Sequence, residues 1–231
     1  MTDMSRQLTF DLPVRPALGR EDFFVSPANA LALSVLDDPR GWPQGKVLLI
    51  GPEGAGKTHL GQVFATACGA AIVKSEHLTG TDIAQLVSAG AVVVEDADRI
   101  AGDMASETAL FHLHNLALAE GSPLLLTARI APAHWKFSLP DLASRMQATQ
   151  IVALESPDDA LLAAVLVKHF TDRQLRVPAA LIPWLVARMD RSFAAARDIA
   201  AELDARALAQ SRPVGQKLAA EVLDRLGARG Q

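Results

Sequence analysis

Gly51-Pro52-Glu53-Gly54-Ala55-Gly56-Lys57-Thr58 fits the pattern G-x-x-x-x-G-K-[ST], and its flanks fit as well. Val47-Leu48-Leu49-Ile50 just before it is a short, branched apolar run of the kind that makes a buried strand. After it, Leu60, Val63, Phe64 and Ala67 recur at helical spacing between Thr58 and Cys68. Strand, glycine loop and helix, in that order, form the context in which this pattern cradles phosphate. Small residues leave the backbone N–H groups free to curl around phosphate oxygens, and the helix N-terminus adds positive potential. Lys57 is then placed to reach the β- and γ-phosphates, and Thr58 to hold a Mg2+ ion. A chance glycine turn ahead of a helix is the plainer alternative; a full match in the right setting weighs against it. The stretch predicts a nucleoside-phosphate site.

The 231 residues around this loop allow one domain, or a domain with a small appendage. Hydrophobic residues make up 50% and charged ones 21%, a globular composition with enough apolar material for a sizeable core. No apolar run approaches the roughly 18 residues of a membrane span. Residues 1–12 are polar and acidic, without the apolar core of a secretory signal. The single cysteine, Cys68, cannot form an internal disulfide, so a reduced cytoplasmic interior is the expected location. A net charge of −4 argues against a chain built mainly to grip nucleic acid, while permitting a local basic patch.

Residues 1–20 carry Gln7-Leu8-Thr9-Phe10-Asp11-Leu12, then Pro13, Pro16 and Gly19, with no helical periodicity. They are expected to form an extended, mobile tail. Leu8, Phe10 and Leu12 alternate with polar residues, as in a short motif that docks in a groove. A strand added to the chain's own sheet edge is the other reading. Ser26 as N-cap and Pro27 at the first position predict a helix over 26–37. Further strands are expected at 70–74, 91–94, 123–127 and 150–154, with helices over 81–88 and 106–120 between them. Short apolar strands alternating with helices predict an α/β fold with a parallel five-stranded sheet covered on both faces. From Ser156 onward only helices are expected: one after the cap Ser156-Pro157-Asp158-Asp159, then 178–189, 193–210 and 215–227. The division predicted is a tail over 1–20, an α/β core over 21–155 and a helical lid over 156–231.

The strand over 91–94 runs straight into Glu95-Asp96. Strand C-termini of an open parallel sheet line the ligand crevice, so both carboxylates are expected beside the phosphate loop. By order, Glu95 suits a water-mediated Mg2+ contact, and Asp96 suits orienting the attacking water. A solvated acidic strand end is the bland reading, and the upstream loop tips the balance against it. Thr127 closes the next strand, where a hydroxyl is placed to touch the γ-phosphate or its water; threonine is common in strands, so the signal is weak alone. Arg145 lies in Leu142-Ala143-Ser144-Arg145-Met146, just before the last strand. It is placed to reach a neighbouring subunit's γ-phosphate, where an arginine supplied in trans stabilises the transition state. A surface ion-pair arginine is an equal reading of that residue by itself. His112 and His114 stand two apart on a helix, face different ways and form no metal pair. His59 reads as packing at the helix start.

With these parts in order, the chain resembles the AAA+ ATPases, and within them the DnaA-related group. Gly56-Lys57-Thr58-His59-Leu60 is similar to the G-K-T-H-L helix start of DnaA proteins, which brings His59 into the expected nucleotide-contact set. Glu21-Asp22-Phe23-Phe24-Val25 resembles the entry segment that packs near the adenine base, implying that role for Phe24 and Val25. Phe111-His112-x-x-Asn115, then Gly121 and Leu124-Leu125-Leu126-Thr127, resembles the DnaA helix and sensor-1 strand. Ser144-Arg145 matches the arginine-finger position. The resemblance spans about residues 20–210. It implies an AAA+ core followed by a small all-α lid, with ADP or ATP and Mg2+ as cofactors.

Initiators of this family carry a further C-terminal helix-turn-helix domain that binds DNA. From residue 156 onward there are 11 Lys/Arg against 9 Asp/Glu, a net of 11 − 9 = +2, which is no basic DNA-reading module. Together with Gln7-Leu8-Thr9-Phe10-Asp11-Leu12, the core resembles the Hda group, the regulatory inactivators of DnaA. In that group the tail peptide binds the groove of the DNA polymerase sliding clamp. Gln7 is then expected to hydrogen-bond there, while Leu8, Phe10 and Leu12 supply apolar area. The partners implied are the clamp and DnaA, with DNA reached only through the clamp and no membrane. Nucleoid association through the clamp would follow, and self-association is left open. The chain departs from the DnaA pattern twice. Glu95 stands where DnaA proteins usually have aspartate, and the lid's sensor-2 arginine position falls on Ala194, with Arg191 and Arg197 nearby as substitutes. Both suit a protein whose nucleotide is a structural ligand or switch, with weak hydrolysis of its own and its main effect on the ATP of DnaA. A clamp-associated or helicase-loading ATPase with its own cycle and a nucleic-acid client is the alternative.

Overall fold

The apolar runs of the sequence become five parallel strands: β1 (Lys46–Ile50), β2 (Ala71–Lys74), β3 (Val92–Glu95), β4 (Leu124–Ala128) and β5 (Gln150–Ala153). They pair in the order β2-β3-β4-β1-β5. The computed structural model describes residue 25, residues 27–210 and residues 212–229. The expected clamp peptide, with Gln7, Leu8, Phe10 and Leu12, and the expected base-contact residue Phe24 lie outside these residues. Helix α1 (Pro27–Leu36) precedes the sheet, and α2 (Lys57–Cys68), α3 (Ile83–Ser88), α4 (Met104–Glu120) and α5 (Pro140–Gln147) connect its strands.

The central strands are apolar at nearly every position because both faces are covered. Val47, Leu49, Val93 and Leu125 point to one side, where they meet Leu33, Leu60, Val63 and Phe64 of α1 and α2. Leu48, Val92, Val94, Leu124 and Leu126 point to the other, against Leu110 and Leu113 of α4 and Leu142 and Met146 of α5. The edge strands β2 and β5 are each mostly exposed, with one buried residue apiece, Val73 and Val152. After β5 the chain is helical: α6 (Asp159–Asp172), α7 (Leu181–Val186), α8 (Phe193–Gln210) and α9 (Gln216–Arg229). These four enclose their own apolar cluster, with Leu166, Phe170, Leu185, Ile199, Leu203 and Val222 among its members. No described helix is long and apolar enough to cross a membrane.

Three local expectations shift. The helix expected over 81–88 starts at Ile83, where the Asp82 side chain accepts the Gln85 N–H, and a 3-10 stretch (Ser75–Gly80) precedes it. The helix expected over 178–189 is the shorter α7, with Pro183 in its first turn. Helix α5 was not expected; its polar face hides the two buried residues, Leu142 and Met146, that hold it to the sheet.

For function, the register matters most. Ile50 pairs with Ala128, and Val94 with Leu126, so the C-terminal ends of β1, β3 and β4 lie side by side along one sheet edge. The segments leaving these three strand ends build one site.

Candidate functional site

The loop after β1 is anchored at its first residue, where the Gly51 N–H donates to the Ala128 carbonyl at 3.3 Å. A Cβ on Gly51 would sit 2.6 Å from the Leu154 carbonyl oxygen, so no side chain fits there. Gly54 and Gly56 have φ of +76° and +93°, in the left-handed region that glycine enters without cost. The start of α8 also rests on these two glycines. The Phe193 N–H donates to the Gly54 carbonyl at 3.1 Å. A Cβ on Gly54 would meet Ser192 at 2.4 Å, and one on Gly56 the Phe193 ring at 2.7 Å. The loop sequence therefore encodes a contact with the helical part as well as a phosphate cradle.

Lys57 opens α2 and is buried, with Nζ donating to the Gly51 and Pro52 carbonyls at 2.6 and 2.8 Å. Its ammonium thus folds back over the loop. Pro52, Glu53 and Thr58 are exposed and Ala55 is buried in the core. His59 is exposed on the first turn of α2. Val25 is half-buried and packs against the apolar cluster that α1 and α2 form on this face of the sheet.

Across from the loop, Glu95 ends β3 half-buried, in register with Lys74. Asp96 adopts φ 55° and ψ 43°, a left-handed conformation that is uncommon outside glycine and costs free energy. Four contacts hold it: its N–H donates to Thr127 Oγ1 at 3.1 Å, and its carbonyl accepts from Ser75 Oγ at 2.7 Å and the Arg99 N–H at 2.9 Å. Its carboxylate lies 3.7 Å from Arg99. Thr127, fully buried, thus accepts the Asp96 N–H through its hydroxyl oxygen and holds the backbone at the start of the acidic turn.

Two residues of this site escaped the sequence reading. Asp98 has a nearly buried carboxylate, whose Oδ2 accepts the Arg129 N–H at 3.3 Å and faces Arg129 Nε at 3.5 Å. Its Oδ1 is buried without a hydrogen-bond partner. Burial pushes the Lys57 pKa down; Asp96, Asp98 and Glu53 oppose that shift and Arg129 adds to it, so all four stand within electrostatic reach of the loop lysine. The register Val94↔Leu126 carried the signal: residues just past those two strand ends must be neighbours.

Arg145 lies elsewhere. On the last turn of α5, its guanidinium sits over the Phe111 ring at 5.1 Å. Its carbonyl accepts from Thr149 Oγ1 at 3.0 Å and from Lys46 Nζ at 2.9 Å. Lys46 begins β1, and the phosphate loop begins after the strand's other end, five residues away at about 3.3 Å each. Arg145 is thus held at the sheet edge opposite its own phosphate loop.

The Lys46 ammonium is buried and also lies 3.0 Å from His114 Nε2. An ammonium only donates, so Nε2 accepts and the imidazole is neutral, its Nδ1–H facing Asn115 Oδ1 at 3.3 Å. Burial, then the Lys46 charge, push the His114 pKa down to about 4. Its folded pKa lies below the unfolded value, so the stability it contributes is present above pH 6.5 and is lost as pH falls toward 4. Denaturant melts should show a loss of about 2 kcal/mol between pH 7 and pH 5 from this group. His114→Gln should remove most of the dependence, leaving the smaller part due to His169, whose pKa burial also lowers.

The donor set suits a nucleotide with magnesium. Backbone N–H groups of residues 54–58 and the Lys57 ammonium would face the phosphates. The exposed Thr58 hydroxyl with Glu95 or Asp96 would hold the ion. Among the described residues no three His, Cys, Asp or Glu side chains cluster as a protein-only metal cage. Magnesium bound through one or two carboxylates plus phosphate oxygens requires none.

No protein-family model matches the chain. It is 24% identical over 234 residues to the chromosomal replication initiator protein DnaA 2 of Chlamydia caviae, covering 91% of this chain and 50% of that protein. The chain thus spans about half the length of this relative. Domain III of the Thermotoga maritima replication initiation protein DnaA superposes with a TM-score of 0.77 at 20% identity, over 92% of this chain and 98% of that one. A replication initiator DnaA bound to AMPPCP and single-stranded DNA gives 0.63 at 18% identity, over 81% and 65%. These likenesses in structure establish the AAA+ architecture.

Proposed function

We propose, from its likeness to DnaA proteins, that this chain binds an adenine nucleotide and acts chiefly on the nucleotide of a DnaA molecule. Residues 21–155 serve as the nucleotide-binding core and 156–231 as the lid. ADP or ATP with Mg2+ binds the loop over 51–58 and sets the angle between the two, which already touch through Phe193 and Gly54. Thr58 and Glu95 hold the ion, Asp96 and Thr127 position water, and Val25 with Phe24 borders the base.

The observation that carries the proposal is the location of Arg145. A guanidinium at the edge opposite its own phosphate loop has no reach to its own nucleotide, and in trans it meets the γ-phosphate of an apposed DnaA subunit. There it stabilises charge on the transferring phosphoryl group, an effect worth about 10^3 to 10^5 in rate for arginine fingers. Residues 7–12 tether the protein to the sliding clamp, raising its concentration near DNA-bound DnaA. The outcome is faster loss of ATP from the initiator and restraint of re-initiation.

The deciding assay tracks turnover of DnaA-bound ATP when this protein is added, with and without clamp loaded on DNA. Stimulation that needs the clamp supports the full reading. Stimulation without the clamp removes the tether. No stimulation in either case rejects the regulatory role and turns attention to a cycle of its own.

A further inference from the structure

Lys46 is 2% exposed at the start of β1, and among the described residues no carboxylate lies within ion-pair distance of its ammonium. Burial lowers its pKa, and the Arg145 guanidinium lowers it further. The next three residues of the strand, Val47, Leu48 and Leu49, are apolar and fully buried, so packing alone does not call for a charge here. What the ammonium holds is the end of α5. The Thr149 N–H, which a continued helix would give to the Arg145 carbonyl, goes to the Met146 carbonyl at 3.1 Å. The freed Arg145 carbonyl accepts instead from Lys46 Nζ and from the Thr149 hydroxyl. A cation at a helix C-terminus is also favoured by the helix dipole. Phe111 and His114 stand three apart on α4 and so share a face. Phe111 lies against the Arg145 guanidinium, and His114 Nε2 steadies the ammonium that holds the Arg145 backbone.

We propose that Lys46, seated on His114, is the positioning residue that aims the Arg145 guanidinium at the nucleotide of the apposed subunit. The inference rests on the reading of Arg145 as an arginine supplied in trans. Arg145 is held at its carbonyl by Lys46 and at its guanidinium by the Phe111 ring, so both ends of the residue are fixed before a partner arrives. Among the described residues no carboxylate neutralises that guanidinium, which leaves its charge for an incoming phosphate. Donors fixed in advance need no reorganisation as charge develops on the transferring group. Without Nζ, the Arg145 carbonyl keeps only the Thr149 hydroxyl, and the last turn of α5 loses its tie to β1. A displacement of about 1 Å at a reacting centre is enough to cost about 100-fold in rate.

Single-turnover hydrolysis of DnaA-bound ATP, measured over a range of concentrations of the full chain, tests this. Lys46→Met keeps the length of the side chain and removes a buried charge, so it should fold as stably as the wild type and bind MgADP equally. Its maximal stimulated rate should fall about 10- to 100-fold, while the concentration giving half that rate changes by less than about twofold. Thr149→Val removes the other donor to the same carbonyl and should lower the maximal rate about threefold. His114→Gln offers Nζ an amide oxygen in place of the ring nitrogen and should stay within about twofold of the wild-type rate, whereas His114→Leu should lose about tenfold. A wild-type maximal rate in Lys46→Met, a loss confined to the half-saturating concentration, or equal losses in the two His114 variants would each overturn the proposal. Should Lys46→Met fail to fold, wild-type rates in both Thr149→Val and His114→Leu would overturn it as well. A wild-type chain that gives no stimulation, or an Arg145→Ala chain that stimulates fully, overturns the trans reading itself, a result visible before any Lys46 variant is made.

Discussion

Replacing Arg145 with alanine is expected to lower the stimulated turnover of DnaA-bound ATP by about a thousandfold or more, to near the unstimulated rate. The same protein should bind MgATP, MgADP and the clamp as the wild type does. The separation comes from geometry: Arg145 stands beside Lys46 and Phe111 at one end of β1, and the phosphate loop leaves the other end. Removing a half-buried guanidinium there loses a stacking contact with Phe111 worth about 1 kcal/mol, which does not threaten the fold. Arg145→Lys should recover little, because an ammonium cannot reproduce the planar fork on a phosphoryl group. Single-turnover measurement with preloaded DnaA keeps nucleotide exchange out of the rate. Full stimulation by the alanine variant would refute the trans arginine.

Local patterns were legible in the sequence, and long-range pairings were not. The phosphate loop, the acidic strand end and the five strands could be read because each is specified within about ten consecutive residues. Gly54 and Gly56 were legible as loop glycines; that they also admit Ser192 and Phe193 depends on a contact across more than 130 positions. Helix α5 was missed because only Leu142 and Met146 face inward from a polar run. Asp98 and Arg129 were missed for a related reason. Neither belongs to the motif beside it, and only the register of β3 against β4 brings them together. Lys46 stands just ahead of the apolar run and belongs to no motif, yet it is buried and fixes the backbone of Arg145 ninety-nine residues away.

Glu107 is the other position where one substitution should have a large effect, and here the effect is on stability first. Its side chain is fully buried on α4, and its two carboxylate oxygens accept N–H groups from Gly102 at 2.7 Å, Ser138 at 2.9 and 3.0 Å, and Leu139 at 2.7 Å. Leu139 caps α5, which has no side-chain cap of its own. The carboxylate therefore does for α5 what a capping residue does elsewhere, and a negative charge beside a helix N-terminus is favourable. Glu107→Ala leaves the N–H groups of Gly102, Ser138 and Leu139 without this acceptor; Gly102 and Ser138 are exposed and Leu139 half-buried, so water takes over part of each bond and the cost is about 1 kcal/mol each. The expected loss is about 3 kcal/mol, or a fall in Tm of about 10 °C for a chain of this length. Glu107→Gln keeps one carbonyl acceptor and turns the other oxygen into a donor that faces N–H groups, so it should lose about half as much. That milder variant carries the functional consequence. With the start of α5 loosened, Arg145 at its far end is less well positioned, and stimulated turnover should fall while MgADP affinity stays unchanged. A glutamine variant as stable as the wild type would mean that Ser138 and Leu139 find other acceptors. One that loses ADP binding in step with stimulation would mean that Glu107 supports the whole core instead of the α5 end.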